Sequence, residues 1–257
     1  MTQDSLSFDR AATFYDATRA LDPAVARRLT DALEREIRAV GERVLEPGIG
    51  TGRIARPLAE RGIRVTGVDI SPLMMGRLTA QLTSQHTPLD LMLGDATRLP
   101  FSPACFPAIM VCHVLHLIPE WKAAVSEMRR VLAPGGVILH HGEGESDRNR
   151  SPMMTAKIDE LLAKRGFTRR HRPDVDEIRD AFAATGGSLR TEVIAEWDDN
   201  GTLEQHFQES RSRAHSWTWD IPEDIFHDMM DEFEPWARAN ISDVRHVLYE
   251  VDIWTFD

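Results

Sequence analysis

The run Val44-Leu45-Glu46-Pro47-Gly48-Ile49-Gly50-Thr51-Gly52 constrains the fold more than any other feature of the chain. A short apolar, strand-like stretch ends in an acid and enters three glycines at alternate positions, and a helix-like stretch follows. Glycines placed this way let the backbone turn tightly and approach a ligand with no Cβ in between. A strand feeding such a turn and then a helix is the opening unit of an open, mostly parallel α/β sheet, which binds ligands at the carboxyl ends of its strands.

The rest of the first half keeps that rhythm. Asp22 and Pro23 signal a helix start, and Val25, Leu29, Leu33, Ile37 and Val40 recur at helical spacing up to Gly41. Arg43 to Glu46 reads as a strand, Arg53 to Arg61 as a helix, Ile63 to Asp69 as a strand, and Pro72 to about Ser84 as a helix. Leu89 to Leu93 and Phe106 to Cys112 read as the third and fourth strands. Trp121, Val125, Met128 and Leu132 share a helix face, and Ala133-Pro134-Gly135-Gly136 is expected to end that helix before the strand Val137 to His141. This alternation predicts a Rossmann-like sheet of seven mostly parallel strands with helices on both faces.

Beyond Gly142 the rhythm changes. Helical stretches near 152–165 and 174–185 precede a strand from about Leu189 to Trp197. A long helical segment, about 201–240, precedes a last strand, Val244 to Phe256, whose period-two alternation places it half-buried at or near an edge. Pro235 is expected to break or kink the long segment near Glu234. One domain is expected over 1–257, with a helical cap at about 1–40, a cofactor-binding core at about 41–142, and helical insertions at about 145–185 and 201–240 forming a lid.

Charge narrows the function. The 257 residues carry 41 acidic against 30 basic side chains, a formal net charge of −11, which opposes approach to nucleic acid phosphates. No apolar run is long enough to span a membrane and the start has no signal-peptide pattern, so a cytoplasmic protein with no membrane partner is expected. The two cysteines, Cys105 and Cys112, lack the paired spacing of zinc sites, so no metal is expected.

A dinucleotide turn has the spacing G-x-G-x-x-G, and counting from Gly48 and Gly50 its third glycine falls on Arg53. The pattern here is instead E-x-G-x-G-x-G, followed by Asp69 at the end of the next strand, where an acid can accept both hydroxyls of a ribose. It resembles the first motif of class I S-adenosylmethionine-dependent methyltransferases, whose cofactor is a sulfonium cation without a pyrophosphate. Three further stretches are similar to that family in order along the chain: Gly67-Val68-Asp69-Ile70-Ser71, Gly94-Asp95-Ala96-Thr97-Arg98-Leu99-Pro100-Phe101, and Met128 to Gly136. Together they cover about residues 40–142 and most resemble the small-molecule branch that includes menaquinone/ubiquinone-type enzymes.

The resemblance implies S-adenosylmethionine as cofactor and a small molecule as methyl acceptor. It implies that Glu46, Gly48 and Gly50 meet the methionine end, Asp69 the ribose, Asp95 and the Ala96 backbone the adenine amine, and Ile70 the adenine face. Tyr15 and Arg19 are similar to residues of a helix that closes over the methionine end and its carboxylate. Pro107 departs from the family, many of whose members carry an acid at the start of the fourth strand.

Histidine is the natural base near neutral pH. His113 and His116 follow the fourth strand and are the candidate catalytic residues, while His140 and His141 end the fifth. In the late insertion, Arg213, His215, Trp217 and Trp219 combine cations with aromatics and are candidates for the acceptor pocket; the alternative is that they anchor the insertion. A nicotinamide oxidoreductase and a non-catalytic S-adenosylmethionine-binding protein are the competing functions.

Overall fold

The computed structural model describes residues 8–9, 21–82, 87–141, 150–199, 202–243 and 245–256. Tyr15 and Arg19 lie outside them. The first helix, α1 (Pro23–Val40), starts where the sequence signals it: the Asp22 carboxylate accepts from the Ala24 amide at 2.7 Å, and proline at the first helical position has no N–H to leave unpaired. Its apolar face buries Leu29, Leu33 and Ile37.

There follow β1 (Arg43–Pro47), α2 (Ala55–Glu60), β2 (Arg64–Asp69), α3 (Pro72–Gln81), β3 (Leu89–Leu93), β4 (Phe106–Cys112), a 3-10 turn at Leu115–Leu117, α4 (Trp121–Val131) and β5 (Leu132–His141). The later elements are α5 (Arg150–Lys164), α6 (Val175–Ala184), β6 (Ser188–Asp199), α7 (Leu203–Arg211), a 3-10 turn at Ser216–Thr218, α8 (Glu223–Asn240) and β7 (Arg245–Thr255). The seven strands run in the order β3-β2-β1-β4-β5-β7-β6. β1 to β5 pair in parallel, and β7 pairs antiparallel with β5. The chain leaves β1 towards β2 and β3, then returns to place β4 on the other side of β1. That reversal opens a crevice at the carboxyl ends of β1 and β4, the place where open α/β sheets bind ligands.

The chain separates into two compact units. One takes the described residues of 1–143, 172–195 and 250–257; its core joins Leu45, Ile109, Val111 and Ile138 of the sheet to Trp121, Val125 and Met128 of α4, Phe182 of α6 and Trp254 of β7. α6 therefore belongs with the sheet and not with an insertion, because Ile178 and Phe182 bury their side chains in that core. The other unit takes the described residues of 144–171 and 196–249 and has its own core, in which Leu161, Leu162, Phe207, Phe226, Met229 and Phe233 are buried.

Three local expectations are corrected. β5 begins at Leu132, so Ala133 to Gly136 lie within the strand and not before it. The β4–β5 register shifts between Phe106 and Ala108, an irregularity that accommodates Pro107, which has no N–H for the ladder; a Cβ on Gly136 would lie 2.7 Å from the Pro107 carbonyl oxygen. Pro107 thus sits at the amino end of β4, away from the crevice. The long segment at 201–240 is two helices joined through a 3-10 turn, and the break falls near Arg213, which takes a left-handed φ of 56°, and not at Pro235. α8 runs through Pro235, where the loss of one helical hydrogen bond, about 3 kcal/mol, is offset by burial of Phe226, Met229, Met230, Phe233 and Ala237 along one face.

Along β7 the period-two pattern holds at the outer end. Val251, Asp252, Ile253 and Trp254 are all buried, because the inner part of the strand, one place in from the edge, is covered on both faces.

Candidate active site

The glycine turn is sewn to the end of β2. Val68 carbonyl oxygen accepts from the Gly48 amide at 2.7 Å and from the Ile49 amide at 3.2 Å, Asp69 Oδ2 accepts from the Gly50 amide at 2.7 Å, and the Gly52 amide donates to Ile49 oxygen at 2.9 Å. Glycine is required at Gly48, with φ of 76°, since a Cβ there would lie 2.3 Å from Val114. Gly50, with φ of 56°, is needed for its left-handed backbone rather than for space.

Around this turn lies a cleft within the sheet unit. Its walls include Glu46, Gly48, Gly50, Asp69, Ile70, Asp95 and Ala96, so the structure brings together all seven described residues assigned to the cofactor from sequence. His113 lines it as well; His116, in the 3-10 turn, does not.

Glu46 ends β1 with only 3% of its surface exposed, and among the described residues its Oε2 has no hydrogen-bond partner. Burial pushes its carboxyl well above the ordinary range; Arg53 pulls the other way and Asp69 adds to the rise. Asp69 is also raised by burial, against the pull of the backbone amides of Ser71, Gly50 and Ile70. Asp95 accepts from the Thr97 amide at 2.8 Å and the Thr97 hydroxyl at 2.9 Å through one oxygen, Oδ1, which fixes its carboxylate at the mouth of the β3 loop.

Three acids thus line a cleft whose turn amides at 48, 49, 50 and 52 already donate to internal acceptors. A pyrophosphate needs those amides, and a cation needs the acids. The residues fit the S-adenosylmethionine expectation: a cationic, hydroxyl-rich ligand would supply the donors that Glu46 lacks.

Also in the cleft wall, His113 takes a left-handed φ of 51°, unusual for a side chain with a Cβ. Its ring meets that of His141 edge to face, with centroids 5.0 Å apart. His141 Nδ1 lies 2.9 Å from the Glu250 carbonyl oxygen, which can only accept, so Nδ1 carries the hydrogen. Burial drives the His141 pKa well below the ordinary value, and the nearby His113, Arg53 and His140 lower it further against that hydrogen bond; the ring is neutral. His140 points to the other face of the sheet, near the Phe182 ring and 3.9 Å from Asp252. Burial alone would raise the Asp252 pKa, but the neighbouring His140 and the hydrogen bonds from Arg179 and Thr191 hold it well below the carboxylate range. Cys112 is buried, and burial with the neighbouring Glu46 pushes its thiol well up, so it is protonated and no nucleophile.

The four residues of the late insertion are placed within the second unit. Arg213 donates to the carbonyls of Thr218 and Ile221 and lies over the Phe226 ring at 4.8 Å. Trp219 donates through its indole N–H to Arg213 oxygen at 2.7 Å, His215 Nε2 lies 3.0 Å from Glu209, and Trp217 packs 6.1 Å from Phe226 between ring centroids.

Residues 45–140 match the family model described as a methyltransferase domain. Over 133 residues the chain is 36% identical to a malonyl-[acyl-carrier protein] O-methyltransferase of Serratia marcescens, covering 52% of this chain and 49% of the relative. It is also 36% identical over 135 residues to a demethylmenaquinone methyltransferase of Renibacterium salmoninarum, covering 51% and 55%. The chain therefore spans about half the length of the curated relatives it matches. A Thermotoga maritima S-adenosylmethionine-dependent methyltransferase, described as a possible histamine N-methyltransferase, shares the fold with a TM-score of 0.55 at 18% identity, covering 97% of this chain and 98% of that one. The methyltransferase segment holds the whole glycine turn beyond Glu46's strand start and all the cleft acids; β6, β7 and the second unit lie outside it. Among the described residues no helix is long and apolar enough to cross a membrane.

Arg53 is the cleft residue that the sequence reading left without a role. It follows the third glycine, lines the cleft, and its charge acts on Glu46, Cys112 and His141. The available signal was its position directly after the turn.

Proposed function

We propose that the protein transfers a methyl group from S-adenosylmethionine to a small-molecule acceptor. The observation that carries this reading is the pairing of a buried, unpartnered Glu46 oxygen with a glycine turn whose amides are internally satisfied. When bound, the cofactor supplies a methyl on a sulfonium, so transfer needs a positioned nucleophile, a dry pocket and, for a poorly acidic acceptor, a base. Glu46 holds the methionine end against Gly48 and Gly50, Asp69 accepts the ribose hydroxyls, and Asp95, Ala96 and Ile70 frame the adenine.

His113 is the residue we assign to the acceptor side. It stands at the carboxyl end of β4 in the cleft wall, where it can take a proton from an acceptor hydroxyl, amine or carbon acid. His116 is half-buried outside the lining and is assigned no proton transfer. Two free cysteines fit a reducing, cytoplasmic setting. Calorimetric titration with S-adenosylmethionine, S-adenosylhomocysteine and NAD, followed by a methyl-transfer screen over phenols, amines, thiols and quinone-like carbon acids, tests the reading. Binding of the two adenosyl compounds and not of NAD is expected; the reverse overturns it.

A further inference from the structure

His141 is wholly buried beside the cleft and takes no part in the proposed transfer. β4 and β5 pair with Cys112 opposite His141, and the side chains of register partners leave a parallel sheet on the same face. Cys112 lines the cleft, so His141 stands on the cleft side of the sheet, behind the wall and not in it. Had β4 continued, His113 would follow Cys112 onto the opposite face. Its left-handed backbone ends that alternation and brings its ring into the cleft wall, edge to face with the ring of His141 at 5.0 Å between centroids. A residue with a Cβ keeps such a backbone where its surroundings over-determine it. His141 can supply that constraint because it is itself fixed: the Glu250 carbonyl oxygen on β7 accepts its Nδ1 hydrogen at 2.9 Å, which sets both the orientation of the ring and its tautomer.

We propose that His141 is a positioning residue for His113: anchored by Glu250, it holds the His113 imidazole in one orientation in the cleft wall. This rests on the assignment of His113 to the acceptor side. A base acts only within hydrogen-bond reach of the proton it takes, so a His113 ring free to turn about its side-chain bonds would cost turnover while leaving the cofactor bound.

The test is nuclear magnetic resonance of the full chain, isotope-labelled in its histidines, with and without S-adenosylhomocysteine; the ring signals of His113 are identified by their loss in His113→Gln. Wild type is expected to give one sharp set of His113 ring signals with a through-space contact to the His141 ring. His141→Asn removes that ring while its amide N–H can still answer the Glu250 carbonyl. In this variant the His113 signals should broaden or average between orientations, with S-adenosylhomocysteine affinity within about twofold of wild type. His141→Phe keeps a ring and loses the anchor; its His113 signals should fall between the two, and it serves as the test if the asparagine variant does not fold. Unchanged His113 signals overturn the proposal, and so does an equal loss of S-adenosylhomocysteine binding, which would mean that His141 shapes the cleft generally. With an acceptor found by the screen, His141→Asn should lower kcat by about tenfold at nearly unchanged KM, and should add less than about twofold to the loss in His113→Gln, since a residue acting through another has nothing left to act on. Additive losses overturn the positioning role. A His113→Gln protein with wild-type turnover overturns the assignment of His113 and the proposal with it, a failure seen without any change at His141.

Discussion

Asp69 Oδ2 accepts the amide hydrogen of Gly50 at 2.7 Å while Oδ1 of the same carboxylate accepts that of Ser71 at 2.8 Å. One side chain at the end of β2 therefore fixes both the glycine turn and the start of α3, and it still lines the cleft. Asp69→Ala is expected to weaken S-adenosylhomocysteine by about 1.5–3 kcal/mol, the scale of hydrogen bonds to a charged group. Asp69→Asn should lose nearly as much, because its amide nitrogen cannot accept from a second backbone N–H. Titration of the folded variants decides this; unchanged affinity would remove Asp69 from the ribose site.

Glu46 carries a stability penalty that binding relieves. Its pKa in the fold is raised above the ordinary 4.5, so the stability it contributes is present below that pH and is lost as the pH rises through the folded value. Glu46→Gln is therefore expected to be more stable than wild type without ligand at about pH 8, by about 1–3 kcal/mol. The gap should close towards pH 4.5, and the variant should bind S-adenosylhomocysteine less well. Denaturant unfolding at several pH values, with and without ligand, checks both parts; a variant less stable than wild type at pH 8 would show that the acid has a partner in the unliganded fold.

The two glycines should fail differently. Gly48→Ala drives a Cβ into Val114, so about 1–3 kcal/mol of stability should go with the affinity. Gly50→Val meets no close neighbour other than Met74 at 3.4 Å, but it forces a β-branched residue into a left-handed backbone and turns a side chain towards the ligand's place. Cofactor binding should be abolished in that variant, and retained tight binding would exclude the turn from the site.

His141 gives the cleft a defined pH response. Its pKa is held well below the ordinary 6.5, so the unfolded chain takes up this proton first, and the stability due to the neutral ring is lost as the pH falls below about 6.5. The difference in unfolding free energy between wild type and His141→Gln should move against wild type on acidification, by at most about 1.4 kcal/mol per pH unit. His113 faces the ring along with the Glu250 carbonyl, and the electrostatic effects of His113, Arg53 and His140 act in the same direction as burial. A pH-independent difference between the two proteins between about pH 7 and 5 would show that His141 is not held neutral.

The parts of this fold that were legible in the sequence are those decided locally. β3 and β4 are short apolar runs bounded by turn residues, and their limits, Leu89–Leu93 and Phe106–Cys112, coincide with the expected ones. The seven described cofactor residues were legible because each sits in the turn or at a strand end, where sequence position dictates spatial position. Elsewhere the deciding contacts are distant in sequence. The tautomer of His141 is set by Glu250 across the antiparallel β5–β7 pair, and the opposite facing of His140 brings it to Asp252. Arg53 reads in sequence only as an absent glycine, since the groups its charge acts on, Glu46, Cys112 and His141, come beside it only in the fold. The end of α7 before Arg213 has no glycine or proline to announce it, the start of α8 is marked by Pro222, and the proline that stands inside α8 is overridden by packing.

The tryptophans of the second unit separate a structural role from a binding one. Trp219 is half-buried and its indole N–H is taken up by the Arg213 carbonyl, and Trp217 lies against Phe226 with the Arg169 guanidinium 5.7 Å from its ring centroid. Truncating a fully buried aromatic costs about 3–5 kcal/mol, and half-buried ones should fall at or below the lower end of that range. Trp219→Ala is therefore expected to destabilise the protein by about 2–3 kcal/mol, and Trp219→Phe to recover the packing while losing the hydrogen bond to Arg213, about 1 kcal/mol. Neither should change affinity for S-adenosylhomocysteine, whose proposed contacts all lie in the other unit. Once the screen has identified an acceptor, its kinetics decide the role of the segment: a raised acceptor KM in a Trp217→Ala protein of wild-type stability would establish it as part of the acceptor pocket, and lost stability with a normal KM in the folded fraction would confine it to the core of its own unit.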